Sequence, residues 1–313
     1  MRDPHRIASR TWKELARSPD VLPIALICIV VIVCFVWNAR VDLTWSPSLL
    51  IAATPALLFL VVTAICFALW PKQPISEIAL YFGLYAAFGL FALRLTYLTA
   101  TLDFPLQDKS FASADSALGF NWGAWTAIAW SHPAYISVLN LAYNSFRGEQ
   151  FLVVCVLAFR GPGRLNSRFM VATILALLAT VAIGTVLPAI GPNEIYGISS
   201  AWSGVVHDLR AGMHAPLKYV GIITFPSFHA TMAVMWTLAL REMRYGSFYL
   251  AAFVNGLMLL ACMPIGYHYL VDVIVGGAIG IGALRVVGFN LNVNSASTSK
   301  MLAVTAQAGS DTT

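Results

Sequence analysis

Long apolar runs constrain this chain more than any other feature. Crossing a bilayer as a helix takes about 20 predominantly apolar residues. About eight segments qualify: 21–37, 47–70, 75–101, 133–159, 169–190, 226–240, 247–266 and 267–289. The segment at 226–240 is short, so its helix is expected to begin before Pro226 or to end past Arg241. The chain is therefore expected to be an all-α integral membrane protein of about eight transmembrane helices.

Composition agrees. The 313 residues are 59% hydrophobic and 11% charged, with a mean hydropathy of +0.76. Soluble domains carry about 25% charged residues, so this chain has too little polar surface for a water-soluble fold. The net charge of +5 is not gathered into one patch. Its basic residues recur between apolar runs, as they do in cytoplasmic loops of membrane proteins, and no nucleic-acid partner is expected. Cys28, Cys34, Cys66, Cys155 and Cys262 all lie inside apolar runs without paired spacing, which supports neither a disulfide framework nor a structural zinc site. The first run follows Arg2, Arg6, Arg10, Lys13 and Arg17, but no small-residue cleavage site follows it at Asn38-Ala39-Arg40. It reads as a retained helix and not as a signal peptide.

Placing the N-terminus in the cytoplasm makes the charge pattern consistent. The inner loops then carry Lys72, Arg160, Arg164, Arg168, Arg241 and Arg244, and the outer loops only Arg40, Lys109, Arg210 and Lys218. Residues 1–20 form a cytoplasmic segment, 21–289 one transmembrane unit, and the Ser-, Thr- and Ala-rich stretch 290–313 a disordered cytoplasmic tail. Two outer loops are long. The stretch 102–132 reads as interfacial, with Trp122, Trp125 and Trp130 suited to the headgroup layer. The stretch 191–225 holds His207, Asp208, Arg210, His214 and Lys218. Within the apolar runs, Glu77 and Arg285 sit near cytoplasmic ends and are expected to snorkel. Arg94, Arg147 and Glu149 are the kind of intramembrane charge that faces a polar cavity or another helix.

Two helix starts on the predicted outer face carry the chemistry. In Thr224-Phe225-Pro226-Ser227-Phe228-His229, Pro226 suits a first turn and Ser227 can cap free amides. A helix N-terminus attracts anions before any side chain is considered, and His229 falls in that turn. In Gly266-Tyr267-His268-Tyr269-Leu270-Val271-Asp272, His268 and Asp272 are four residues apart and share a helix face. A carboxylate there can hold the imidazole tautomer whose other nitrogen points outward, the arrangement of a nucleophile with an orienting acid. Gly276-x-x-x-Gly280 needs only close helix packing.

These two stretches resemble the second and third signature motifs of the type 2 phosphatidic acid phosphatase superfamily. They look most like the branch of inositol phosphorylceramide and sphingomyelin synthases, with Pro-Ser-x-His and His-Tyr-x-x-Asp patterns. The resemblance covers mainly residues 190–290. It implies a six-helix phosphatase-like core preceded by extra helices, and a lipid phosphoester as substrate. His268 would be the nucleophile that becomes phosphohistidine, Asp272 its orienting partner and His229 the general acid, with no metal or other cofactor. The first family motif has no match, Phe228 replaces the Gly before the first His, and Ala261 and Cys262 replace the Ser-Arg pair of the phosphatase branch. The missing Arg favours a transferase acting on a lipid alcohol over a phosphatase acting on water. The expected substitutes for its charge are Arg210, then Lys218 and Arg147, with Ser227 also facing the substrate. Two other classes are weighed beside this: a proton-coupled transporter using His268, Asp272 and Arg147, and a metal enzyme using His207, His214, His229 and His268. The expected location is the plasma membrane (the inner membrane of a bacterium), with the site facing outward.

Overall fold

The computed structural model describes residues 18–41, 47–70, 73–160, 164–198, 200, 203–213, 221–241 and 245–289. Among these the chain forms thirteen helices and no strand. We number them α1 (Val21–Val41), α2 (Pro47–Leu69), α3 (Pro74–Ala100), α4 (Asp108–Ala117), α5 (Trp122–Ser131), α6 (Pro133–Asn144) and α7 (Phe146–Arg160). There follow α8 (Arg164–Val186), α9 (Pro192–Ile195), α10 (Ser203–Arg210), α11 (Phe228–Leu240), α12 (Tyr245–Ala261) and α13 (Leu270–Val286). By length and composition α1, α3 and α8 can cross a bilayer alone, and shorter apolar helices accompany them at Leu58–Leu69, Phe228–Leu240 and Phe248–Ala261. The chain is an all-helical integral membrane protein. Residues 1–17 and 290–313 of the expected terminal segments, and the loop residues Lys72, His214, Lys218 and Arg244, lie outside the described residues.

Proline opens several helices where its missing N–H costs nothing, at Pro74 in α3 and Pro133 in α6. The apolar run 133–159 is not one helix. It breaks at Ser145, whose Oγ lies 2.7 Å from both Ala142 O and Glu149 Oε1. A short hydroxyl side chain offering its own bonds competes with the helical ladder, and here it wins. The helix of 226–240 also differs from expectation. It begins after Pro226, with Ser227 as its N-cap and Phe228 as its first residue.

Two groups of helices build the interior. α1, α3, α8 and α10 enclose one apolar core around Tyr97, Leu98 and Ile174. α7, α8, α11, α12 and α13 enclose a second around Trp236, Met235 and Leu284. Phe228, at the start of α11, packs against both. α11 and α13 approach at Gly276 and Gly280: a Cβ on these would stand 2.3 Å from Ser227 O and 2.6 Å from Thr231 O. The Gly276-x-x-x-Gly280 spacing is thus used for backbone contact.

Two charged groups buried among the helices find protein partners. Glu77 is buried and its Oε1 accepts from Asn166 Nδ2 at 2.8 Å, so it does not snorkel. Arg94 is fully buried on α3 and donates to Asn38 Oδ1 on α1. Arg285, in the last turn of α13, is exposed as expected. Of the three tryptophans expected in the headgroup layer, Trp130 is exposed but Trp122 turns inward and donates from Nε1 to Met263 O at 3.2 Å.

Candidate active site

The two motifs meet where α11 and α13 begin. Ser227 N donates to Asp272 O at 3.0 Å, tying the two helix starts together through the backbone. Thr231 Oγ1 sits 2.9 Å from both Ser227 O and Gly276 O, a second tie one turn deeper.

His268 precedes α13 in a turn whose middle residue, Tyr267, has the left-handed φ of 52°. Such a conformation in a bulky residue is held by its surroundings and is common at functional sites. The His268 amide donates to Cys262 O at 3.1 Å. Its Nδ1 lies 2.8 Å from Thr224 O and 3.3 Å from Asp272 Oδ2. A backbone carbonyl and a carboxylate only accept, so Nδ1 carries the proton and Nε2 keeps its lone pair. Asp272 is fully buried, and its Oδ2 also accepts from Tyr269 N at 2.9 Å. This capping contact fixes the carboxylate against the helix start.

His229 lies in the first turn of α11. Tyr143 stacks on its imidazole with ring centroids 4.1 Å apart and 16° between planes, and Phe146 flanks it at 4.8 Å. The Tyr143 hydroxyl is 3.2 Å from His229 Nδ1. His268 Cδ2 and the Tyr143 hydroxyl that lies against His229 both border Gly266. Gly266 makes this convergence possible, since a Cβ there would stand 2.8 Å from both His268 Cδ2 and the Tyr143 hydroxyl.

A helix leaves its first four amides without intrahelical partners. At α11, Ser227 N is taken by Asp272 O, and Ala230 N by Ser227 Oγ at 3.3 Å. Among the described residues, the amides between them, of Phe228 and His229, have no hydrogen-bond partner. At α13 the equivalent groups are already used. Asp115 Oδ2 accepts from Leu270 N at 2.8 Å and Oδ1 from Val271 N at 3.0 Å. The Asp108 carboxylate accepts from Gly191 N at 2.8 Å and from the Tyr269 hydroxyl at 3.0 Å. Every residue between His268 and Asp272 is therefore gripped from α4. Burial pushes the Asp115 carboxyl above its usual range, and the two amide bonds pull it part of the way back. Asp115→Ala should lose a helix cap worth about 0.5–2 kcal/mol. Thermal unfolding of the purified protein in detergent checks this, and an unchanged midpoint would show that Asp115 is not a working cap.

The structure places His229, His268 and Asp272 at the two joined helix starts. The substrate-binding candidates are placed differently. Ser227 is fully buried, and its hydroxyl accepts from Ala230 N and donates to Cys262 Sγ at 3.8 Å. Arg210 ends α10 and pairs with Asp103 Oδ1 at 2.7 Å, beside a small cavity that it shares with Thr99 and Thr224. Arg147 is exposed at the start of α7. His207 pairs with Glu194 at 3.1 Å, while Lys218 and His214 lie outside the described residues. Sequence reasoning misses Asp108, Asp115 and Tyr143. The carboxylates do leave a trace, since a spacing of seven residues puts both on one face of a short helix.

An all-helical membrane protein in which a His and a His–Asp pair stand at two helix starts tied through the backbone belongs to a narrow class. A family model for the PAP2 superfamily matches residues 109–286, from α4 to the end of α13, and the chain belongs to that superfamily. It is accordingly a membrane enzyme of the phosphatase/phosphotransferase type that acts on a lipid phosphoester. The match leaves α1–α3 outside it. No curated protein and no solved structure matches the chain.

Proposed function

We propose that the protein moves a phosphoryl or phospho-head group from a lipid-linked phosphoester to a lipid alcohol, in the manner of inositol phosphorylceramide synthases, at the outer face of the plasma membrane. The observation that carries this reading is the clamp on His268 Nδ1 by Thr224 O and Asp272, which leaves Nε2 as a bare nucleophile.

Nε2 attacks phosphorus, the bond to the leaving oxygen breaks, and His229 gives that oxygen its proton. His268 gains positive charge in the phosphohistidine, and Asp272 supports it. In the second half an acceptor hydroxyl attacks phosphorus, His229 takes its proton, and His268 is released. The Phe228 and His229 amides and the α11 dipole stabilise the phosphate oxygens. Transfer to an alcohol is favoured over hydrolysis because Ala261 and Cys262 stand where the phosphatase branch has its Ser-Arg pair. Among the described residues, moreover, no ion pair or hydrogen bond joins an arginine or lysine to either histidine. Buried carboxylates around α13 add negative charge, and a singly charged phosphodiester suits such a site better than a doubly charged monoester.

The test is incubation of purified protein with a phospholipid labelled in its phosphate. A new labelled lipid supports transfer, released inorganic phosphate indicates a lipid phosphatase instead, and no acid-labile labelled protein would remove the phosphohistidine. Arg210 is our first candidate for added charge on the substrate phosphate. A charge-assisted bond is worth about 1.5–3 kcal/mol, so Arg210→Ala should lower kcat/KM by roughly tenfold to a hundredfold. An unchanged value would confine Arg210 to its pair with Asp103.

A further inference from the structure

Two atoms occupy His268 Nδ1, and one of them, Thr224 O, belongs to a loop that must itself be held. The holding runs back to α4. Thr224 Oγ1 donates to Ile190 O at 3.0 Å. The Ile190 amide in turn donates to the Asp108 carboxylate, 3.2 Å from Oδ1 and 3.1 Å from Oδ2. Asp108 Oδ1 also accepts from the hydroxyl of Tyr269, the residue next to His268, at 3.0 Å. The bonds close a ring that runs from Asp108 through Ile190, Thr224, His268 and Tyr269 back to Asp108. All five residues are buried. Phe111, three residues further along α4, stacks on Phe225 beside Thr224 with centroids 4.2 Å apart, and its ring lies 5.9 Å from that of Tyr269.

We propose that Asp108 is a positioning residue of the nucleophilic histidine. It acts through both neighbours of His268: through Thr224, which fixes the acceptor of Nδ1–H, and through Tyr269, which fixes where the backbone leaves the ring. Together these aim Nε2 at phosphorus. The assignment rests on the reaction proposed above, in which Nε2 attacks. Gly191 N, 2.8 Å from Oδ1, adds a third donor to Ile190 N and the Tyr269 hydroxyl. A carboxylate has the lone pairs to accept all three. Bonds to a charged acceptor are about twice as strong as neutral ones, and in a buried network each bond polarises the next. A misplacement of about 1 Å can cost about a hundredfold in rate, so a ring that keeps Thr224 O from slipping contributes to turnover without meeting the phosphate.

Thr224→Val removes the hydroxyl that bonds Ile190 O and keeps the carbonyl that His268 uses. Asp108→Asn keeps one oxygen for Gly191 N and the Tyr269 hydroxyl but loses the charge. Each should lower kcat about tenfold, the worth of one buried hydrogen bond, with KM unchanged. The loss should be equal on a labelled phospholipid that the parent turns over and on a nitrophenyl phosphodiester, because both need Nε2. Combined in one chain, the two substitutions should cost little more than the worse of them, since each opens the same ring. Tyr269→Phe opens the ring at its other arm, leaves the Ile190 and Gly191 amides bonded, and should give a similar loss. A merely structural role would lower the melting midpoint and leave kcat per folded molecule at the parent value. That result, additive losses in the double variant, or a loss confined to the phospholipid overturns the assignment and leaves the reaction standing. Failure to trap acid-labile phosphoprotein from the parent protein with either substrate overturns both.

Discussion

His268→Ala should abolish turnover on every substrate, whereas His229→Ala should only slow it on demanding ones. The difference follows from which atom each ring contributes. His268 presents the bare Nε2, held there because Thr224 O and Asp272 Oδ2 both occupy Nδ1. No second nucleophile replaces it, so the covalent intermediate disappears with the ring. His229 contributes a proton, and general acid catalysis is worth roughly a hundredfold to ten-thousandfold. That contribution matters only when the departing oxygen is a poor leaving group. A nitrophenyl phosphodiester should therefore partly rescue His229→Ala and leave His268→Ala dead. Asp272→Asn should fall between them, since it keeps the shape but loses the charge that supports the imidazolium. Rates on natural and activated substrates, with acid-labile phosphoprotein trapped in parallel, decide the matter. Rescue of His268→Ala and not His229→Ala would reverse the roles. Full activity in all three would remove the site.

Gly276→Ala should be nearly as damaging, although it touches no substrate. The added methyl would meet Ser227 O at 2.3 Å and Thr231 Oγ1 at 3.2 Å. Neither atom can yield alone. Ser227 is bonded through its amide to Asp272 O, and the Thr231 hydroxyl bridges Ser227 O and Gly276 O. The helices α11 and α13 must separate, and overpacking of this kind costs about 1–3 kcal/mol. His229 rides on the first helix and Asp272 on the second, with His268 just before it. A shift of about 1 Å between reacting groups can cost about a hundredfold in rate. Gly282→Ala, on the same helix with nothing within 4 Å, is the control. It should be neutral or slightly stabilising, because Ala is the better helix former. Equal behaviour of the two variants would show that the close approach is not needed for catalysis.

The helix starts are legible in the sequence because their chemistry is local. A Pro-Ser pair before an apolar run marks an N-cap, and the spacing of His268 and Asp272 marks them as partners, although the helix begins only at Leu270 and His268 reaches Asp272 from outside it. The apolar runs likewise announce the membrane. Contacts set by packing are not legible in this way. Nothing around Tyr143 distinguishes it from other aromatic residues in an apolar run, and its value appears only when α6 ends beside α11. Glu77 looks free to reach water until Asn166, 89 residues away, is seen to hold it. The break at Ser145 is hidden because Asn144-Ser145 reads equally as a polar patch in a continuous helix. Arg210 shows the opposite failure. Its charge is obvious, but its pairing with Asp103 depends on where two loops meet.

The grip of α4 on the start of α13 joins residues 155 to 161 positions apart. During synthesis, Asp108 and Asp115 emerge long before the backbone that they hold. Until the last of the described helices is in place, they lie on a short polar segment without the backbone amides that they later hold. His268 has neither its tautomer nor its orientation in that interval, since Asp272 follows it in the chain and Thr224 must already be in position. The reactive imidazole is therefore born unarmed, and the closing of the last helix onto the fourth is the event that makes an enzyme of a membrane chain.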